Sequence, residues 1–202
     1  MIAADARPGN SPRVSPPMDS PADLAGAWSG HYLIWGLRRP ITAAFAQRGD
    51  RLIGTMVDLE PVLEVPFALL VDQMGLPTDT EHKTAERLRK LGHRDLGASP
   101  GDPADGPVRF ESRLPPDSVL VGNVRGTAVT FRKTYKGSAT SVLRVGARRH
   151  STIRYDHRVD YRGEVSPDGR QIEGTWRICR GWLERLRLRD EAGAFLLRRD
   201  GR

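Results

Sequence analysis

Apolar and polar residues alternate with a period of two along most of the chain, the spacing of strands that bury one face. In Trp28–Trp35, the residues Trp28, Gly30, Tyr32 and Ile34 share one face, and Ser29, His31 and Leu33 the other. Ile41, Ala43 and Phe45 repeat the pattern. Leu52–Asp58 returns after Arg48-Gly49-Asp50-Arg51, where Gly and Asp tolerate the positive φ of a tight turn. Val108–Leu114 reads as an edge strand. Pro115-Pro116-Asp117 turns into Ser118–Val124, and Arg125-Gly126 into Thr127–Tyr135, where Val129, Phe131, Lys133 and Tyr135 align. Ala139–Val145 follows. Ser151–Arg162 alternates most cleanly, with Ile153, Tyr155, His157, Val159 and Tyr161 opposite Arg154, Asp156, Arg158, Asp160 and Arg162. Ser166-Pro167-Asp168-Gly169 leads into Gln171–Cys179, with Ile172, Gly174, Trp176 and Ile178 in register; Leu183–Arg189 and Ala194–Arg199 close the series. Short strands at intervals of roughly 8–12 residues, joined by hairpin turns, predict an all-β fold. Its expected form is an antiparallel up-and-down (meander) β-barrel of about 8–10 strands, which leaves no free sheet edge.

The period changes after Asp58. Phe67, Leu70, Val71 and Met74 recur at helical spacing, and Gly75 with Pro77 ends that helix. Thr78-Asp79-Thr80-Glu81 has the form of a capping box, with Ala85, Leu88 and Leu91 behind it and Gly92 as the stop. The expectation is a helical hairpin over 60–96 inserted after the third strand, then a flexible linker over 97–107. Residues 1–21, rich in Pro, Ser and Ala, predict a disordered tail, which leaves 22–202 as one barrel domain.

Strand parity turns Trp28, Tyr32, Phe45, Phe131, Tyr135, Tyr155, Tyr161 and Trp176 inward. An eight-stranded barrel is just wide enough for side chains to fill, so these rings are core or the wall of a cavity. Polar residues share their faces: Lys133 between Phe131 and Tyr135, His157 between Tyr155 and Val159, and Asn123 with Val119 and Val121. A buried polar group without a partner costs about 1–3 kcal/mol, so each needs a partner or a wet barrel end. Ligand sites combine apolar walls with a few convergent polar groups. The candidate ligand-binding residues are therefore Tyr32, Phe45, Phe131, Lys133, Tyr135, Tyr155, His157, Tyr161 and Trp176. His150 and His157, seven residues apart, fall on opposite faces of one continuous strand, so no metal site is predicted. No phosphate-binding loop and no His-Glu-x-x-His occurs, and no catalytic residue is predicted.

The opening Gly26-Ala27-Trp28 resembles the start of the calycin group of barrels: lipocalins, fatty-acid-binding proteins and avidins. Trp28-Ser29-Gly30 followed by Leu52-Ile53-Gly54-Thr55-Met56 is similar to the first strands of avidin-type barrels. In that group a Trp of the first strand packs against a basic residue of the last. The resemblance implies Arg198 or Arg199 for that role, and an internal ligand cavity. It covers the barrel strands and not the tail or the helical insertion, and no biotin contact carries over. Some calycin-like barrels hold haem through one axial His. His157 is the one candidate here, and no cofactor is predicted.

Charge adds a second reading. The net charge is +7 and arginine dominates, with only Lys83, Lys90, Lys133 and Lys136 as lysines. Arg177, Arg185, Arg187, Arg189 and Arg199 take outward parity. With Arg144, Arg148 and Arg149 they would form a stripe for an acidic macromolecule, protein or nucleic acid. The apolar stripe Phe67, Leu70, Val71 and Met74 packs on the barrel, closes one end, or docks a partner. The single Cys179 excludes an internal disulfide. No apolar run reaches the length of about 18 residues that spans a bilayer, and the N-terminus lacks a secretory core, so a cytoplasmic location is expected. The leading expectation is non-catalytic binding of a small, partly apolar ligand in the barrel; the alternative is an interaction module built on the arginines.

Overall fold

The computed structural model describes residues 21–73, 77–86, 108–145, 148–154, 157–178 and 192–201. Three strands come first: β1 (Gly26–Ile34), β2 (Leu37–Arg48) and β3 (Arg51–Asp58). Tight turns join them. Trp35 and Gly36 both take positive φ (49° and 75°) at the first, and Gly49 (62°) turns the second. β4 (Val62–Pro66) and α1 (Phe67–Gln73) follow, then β5 (Val108–Arg113), β6 (Asp117–Arg125), β7 (Ala128–Tyr135), β8 (Ala139–Val145) and β9 (Arg148–Arg154). β10 (Arg158–Val165), β11 (Gln171–Ile178) and β12 (Ala192–Arg199) complete the series. A second short helix covers 80–86. No helix among the described residues is long and apolar enough to cross a membrane.

Eight strands close a barrel in the order β1-β12-β11-β10-β7-β6-β3-β2, all antiparallel. Among barrel strands this is an unbroken up-and-down order. The other four form a second sheet, β4-β5-β8-β9.

The second sheet is one wall of the barrel prolonged. Its order β4-β5-β8-β9 repeats β3-β6-β7-β10, and each of its strands adjoins the matching barrel strand in sequence. The register of β6 on β7 (Ser118↔Tyr135) carries unchanged into β5 on β8 (Arg113↔Thr140). Ladder bonds cross the bend: Lys136 N–H donates to the Asp117 carbonyl at 2.9 Å, and Leu114 N–H to that of Pro61 at 2.9 Å. Pro61, Pro115 and Pro116, which cannot donate, and Gly137 at φ 122° stand where the wall turns. On either side of this ribbon the register slips by one residue, as a bulge makes it do. Val57↔Asp117 gives way to Val62↔Arg113, and Arg158↔Thr134 to Ala139↔Arg154.

That slip corrects the expectation of one strand over Ser151–Arg162. β9 and β10 belong to different sheets, and a one-residue slip moves every side chain to the other face. Val159 and Tyr161 point inward on β10, whereas Ile153 on β9 is exposed. Val108–Leu114, expected at an edge, lies between β4 and β8. Val62–Pro66, expected within the helical insertion, is a strand; α1 and the turn of helix over 80–86 follow it. Residues 1–20 of the expected tail over 1–21, and the linker over 97–107, lie outside the described residues.

The barrel interior is filled at its closed end. Trp28, Phe45, Phe131, Tyr161 and Phe195 form a chain of rings, with centroids 6.2 Å apart for Trp28–Phe45, 5.6 Å for Phe45–Phe131, 4.7 Å for the stacked Phe131–Tyr161 pair and 5.1 Å for Tyr161–Phe195. Gly163 and Gly174 face each other on β10 and β11 and make the room. A Cβ on Gly163 would lie 3.0 Å from Phe195, and one on Gly174 would lie 2.5 Å from the Gly163 Cα. Leu24 seals this end. Its N–H donates to Gln47 Oε1 (2.8 Å), and its carbonyl accepts from Trp28 Nε1 (2.9 Å). The Arg199 guanidinium lies 5.1 Å from the Trp28 ring and donates to the Asp23 carbonyl. Arg199 therefore has the parity of Phe195 and Leu197 and covers the barrel end, which corrects its placement on an outward stripe. A second apolar cluster (Leu63, Val65, Phe67, Leu70, Val71, Ala85, Val108 and Val145) joins α1 and the 80–86 helix to the second sheet.

Candidate functional site

Between the open mouth of the barrel and the bent wall lies a cavity of about 320 Å³. Its floor is Tyr32, Tyr135, Tyr161 and Trp176; its roof includes Phe67, Leu70, Phe110 and Leu143. Trp35 comes in from the β1–β2 turn. An aromatic residue in the left-handed region is strained by about 1–3 kcal/mol and persists only where its surroundings hold it. Here the Trp35 ring meets Phe110 edge to face at 5.7 Å, so the turn ties the barrel rim to the second sheet. Trp176 packs edge to face on Tyr32 at 5.7 Å and donates Nε1–H to the Leu33 carbonyl at 3.1 Å. The cavity reaches solvent beside β9, where His150 and Thr152 line it and are exposed.

Under the floor sits a buried ion pair. Lys133 Nζ lies 2.5 Å from Asp58 Oδ2, and neither side chain is more than 1% exposed. The same ammonium lies 4.3 Å from the Tyr135 ring centroid. Burial pushes the Lys133 pKa down, and the Asp58 charge opposes that shift. Burial, then the Asp58 charge, raises the pKa of Tyr32, Tyr135 and Tyr161 well above the ordinary phenol value. All three stay neutral hydroxyls at any physiological pH.

Arg39, opposite Tyr32 on β2, is buried at the rim. Its guanidinium pairs with Glu60 Oε2 at 3.1 Å and donates to the Glu60 and Val62 carbonyls. At this site two buried polar atoms, Arg39 Nε and Asp58 Oδ1, lack a hydrogen bond of normal geometry. The hydroxyls of Tyr32 and Tyr135 lie close enough to Asp58 to feel its charge. The Tyr32 hydroxyl also lies within hydrogen-bond reach of the Arg39 side chain.

Of the residues expected at the site, Tyr32, Tyr135, His157, Tyr161 and Trp176 line the cavity together. Phe45 and Phe131 lie deeper, in the aromatic chain. Lys133 is buried against Asp58 and does not line it. Tyr155 lies outside the described residues. Asn123 is exposed, and Ser118, Leu120 and Val124 take the inward face of β6. Both rows of that strand are apolar, so alternation gave a period without a direction. His150 and His157 line the same cavity despite their spacing, because they do not share a strand. Among the described residues no three His, Cys, Asp or Glu are grouped as a metal site would need.

Arg39 and, in the roof, Phe110 and Leu143 were missed by the sequence reading, whereas Phe67 and Leu70 belong to the apolar stripe read as packing on the barrel, closing one end or docking a partner. Arg39 sits in Leu37-Arg38-Arg39-Pro40, which looks like a turn and is the start of β2. Asp58 carried a usable signal: it has the parity of Leu52 and Met56, opposite the inward Lys133.

Of the arginines in the expected stripe, Arg177 is exposed on β11, Arg149 is exposed on β9, and Arg144 bonds Glu111 at 2.8 Å within the second sheet. Arg185, Arg187 and Arg189 lie outside the described residues, as does Cys179. Also outside them is Gly97-Ala98-Ser99-Pro100-Gly101, which matches the spacing of a nucleophile elbow. The residues before it, His93-Arg94-Asp95-Leu96, lack the apolar strand that such an elbow needs. No protein-family model matches the chain, and neither the curated proteins nor the solved structures give a significant match.

Proposed function

We propose that the protein binds a small, partly apolar ligand in the cavity at the barrel mouth and does no chemistry on it, in the manner of a calycin-like barrel. One observation carries this: the filled barrel ends in a cavity, open to solvent beside β9, whose wall joins aromatic rings to a few convergent polar groups. The volume is at the small end of ligand sites, roughly 300–1,000 Å³. The Trp28–Arg199 stack between first and last strands supports the calycin-like reading. The arginine-stripe alternative draws less support, because Arg144 and Arg199 are engaged in holding the fold.

The test is native mass spectrometry of protein purified from its own host and re-exposed to a small-molecule extract of that host. A discrete added mass that leaves on denaturation, and is absent from a folded Trp176→Ala variant, is expected. A bare mass under both conditions would end this reading.

A further inference from the structure

The outer walls of the barrel differ in charge. β10 turns Arg158, Asp160, Arg162 and Glu164 outward. On β2, β3 and β6 the outward positions include Ala44, Ala46, Ile53, Thr55, Val119 and Val121, with no charge among them. The register sets these six side by side: Ala46, Ile53 and Val121 form one row across the strands, and Ala44, Thr55 and Val119 the next. Ile53 and Val121 are 58% and 62% exposed, more than any other large apolar residue described, and they are direct cross-strand partners. Single exposed apolar residues are ordinary, whereas a contiguous apolar patch marks an interaction surface. Charges stand at its margins. Arg132, at the side, is held by Asp160 at 2.7 Å. Arg51 lies at one end of β3 and Asp117 at the opposite end of β6, both exposed, and neither forms an ion pair among the described residues. Arg51 is opposite Asn123 and Asp117 opposite Val57, so about 20 Å of strand separates them and they do not meet within one chain.

We propose that this face pairs two copies of the chain about a two-fold axis that lies in the interface and crosses the strands, with Arg51 of each copy over Asp117 of the other. A two-fold contact is self-complementary, so each end of the face meets the opposite end of its copy. Here the apolar centre meets itself, and a cation at one end meets an anion at the other, twice. Turning the axis to bring Arg51 over Asp117 leaves the two sets of strands within about 30° of antiparallel, the range of aligned sheet packing. Ile53 of one copy then rests between Thr55 and Val119 of the other. Four strands about 4.8 Å apart, and the run from Arg51 to Val57 at about 3.3 Å per residue, bound the face at roughly 450 Å² per copy. The pair therefore belongs to the weak class of specific interfaces, below about 1,200 Å² in total.

Sedimentation velocity of the full chain, with no ligand added, tests this across concentrations from about 1 to about 200 μM. A reversible monomer–dimer equilibrium is expected, with a dissociation constant on the order of 10 μM. Val121→Arg should weaken it at least about 10-fold, because the contact would desolvate an unpaired charge. The same change should leave the urea midpoint of the monomer where it was, since the position is exposed. Arg51→Asp and Asp117→Arg should each weaken the dimer about 10-fold by opposing like charges, and the two together should restore it to within about threefold of the parent. A chain that stays monomeric throughout overturns the proposal. So does a dimer that Val121→Arg leaves intact, or a pair of single exchanges that the double exchange does not rescue.

Discussion

Lys133 and Asp58 set the chemistry of the interior. Removing one partner of a buried pair strands the other charge, at a cost of about 3–5 kcal/mol, whereas replacing both with apolar groups is often neutral. Lys133→Met or Asp58→Leu alone should therefore lower stability to urea by about that amount, and the double variant should recover most of it. Additive losses in the double variant would show that the pair is not coupled. The pair was half legible in the sequence. Parity placed Lys133 inside; Asp58, which shares the parity of Leu52 and Met56, was not singled out. What alternation could not supply was the distance across the barrel, because the two strands that carry them are separated by β6.

Elements were legible wherever one face was apolar and the other charged, as on β10, where Val159 and Tyr161 oppose Arg158, Asp160 and Arg162. They were not where the wall bends. A one-residue slip between β10 and β9 leaves the alternation intact to the eye and reverses what it means, so Ile153 was placed on the face of Val159 and Tyr161. His150 and Thr152 of the candidate site lie beyond that slip. The Gly163–Gly174 pair shows what the elements require of each other. A methyl at Gly174 would stand 2.0 Å from the Arg162 carbonyl oxygen, so the backbone itself must move. Overpacking of this kind costs about 1–3 kcal/mol or more. Gly174→Ala should lose at least that in chemical denaturation, and a variant as stable as the parent would contradict the close approach of β10 and β11.

The whole molecule should fail at opposite ends of the pH scale through different parts. Glu111, held by Arg113 and Arg144, has its carboxyl pKa lowered from 4.5. The stability it contributes to the second sheet is complete above about pH 4.5 and lost as pH falls below it. Tyr32, Tyr135 and Tyr161 have pKa values raised from 10.0, so the stability from keeping them neutral is present below pH 10 and lost as pH rises beyond it. Lys133 works in the other sense, since its lowered pKa makes its charged form the costly one; three phenols outweigh one amine. Absorbance at the phenolate band should show at most one of the four tyrosines ionising before near-ultraviolet dichroism is lost. Ionisation of all four near pH 10 with the fold intact would refute the buried cluster.

A hairpin zips outward from its turn, and each new pair closes a loop scarcely longer than the last. From the turn at Gly126 the unbroken register runs through Phe131, Lys133 and Tyr135 and on past the bend to Leu143 and Phe110. Tyr135 of the floor and Leu143 and Phe110 of the roof are then rungs of one zipper. The long-range partnership of β1 with β12, which closes the barrel, joins residues near opposite ends of the described chain and carries the greater entropy of closure. On loop-closure grounds the ribbon's share of the cavity wall is therefore expected to form before the barrel closes.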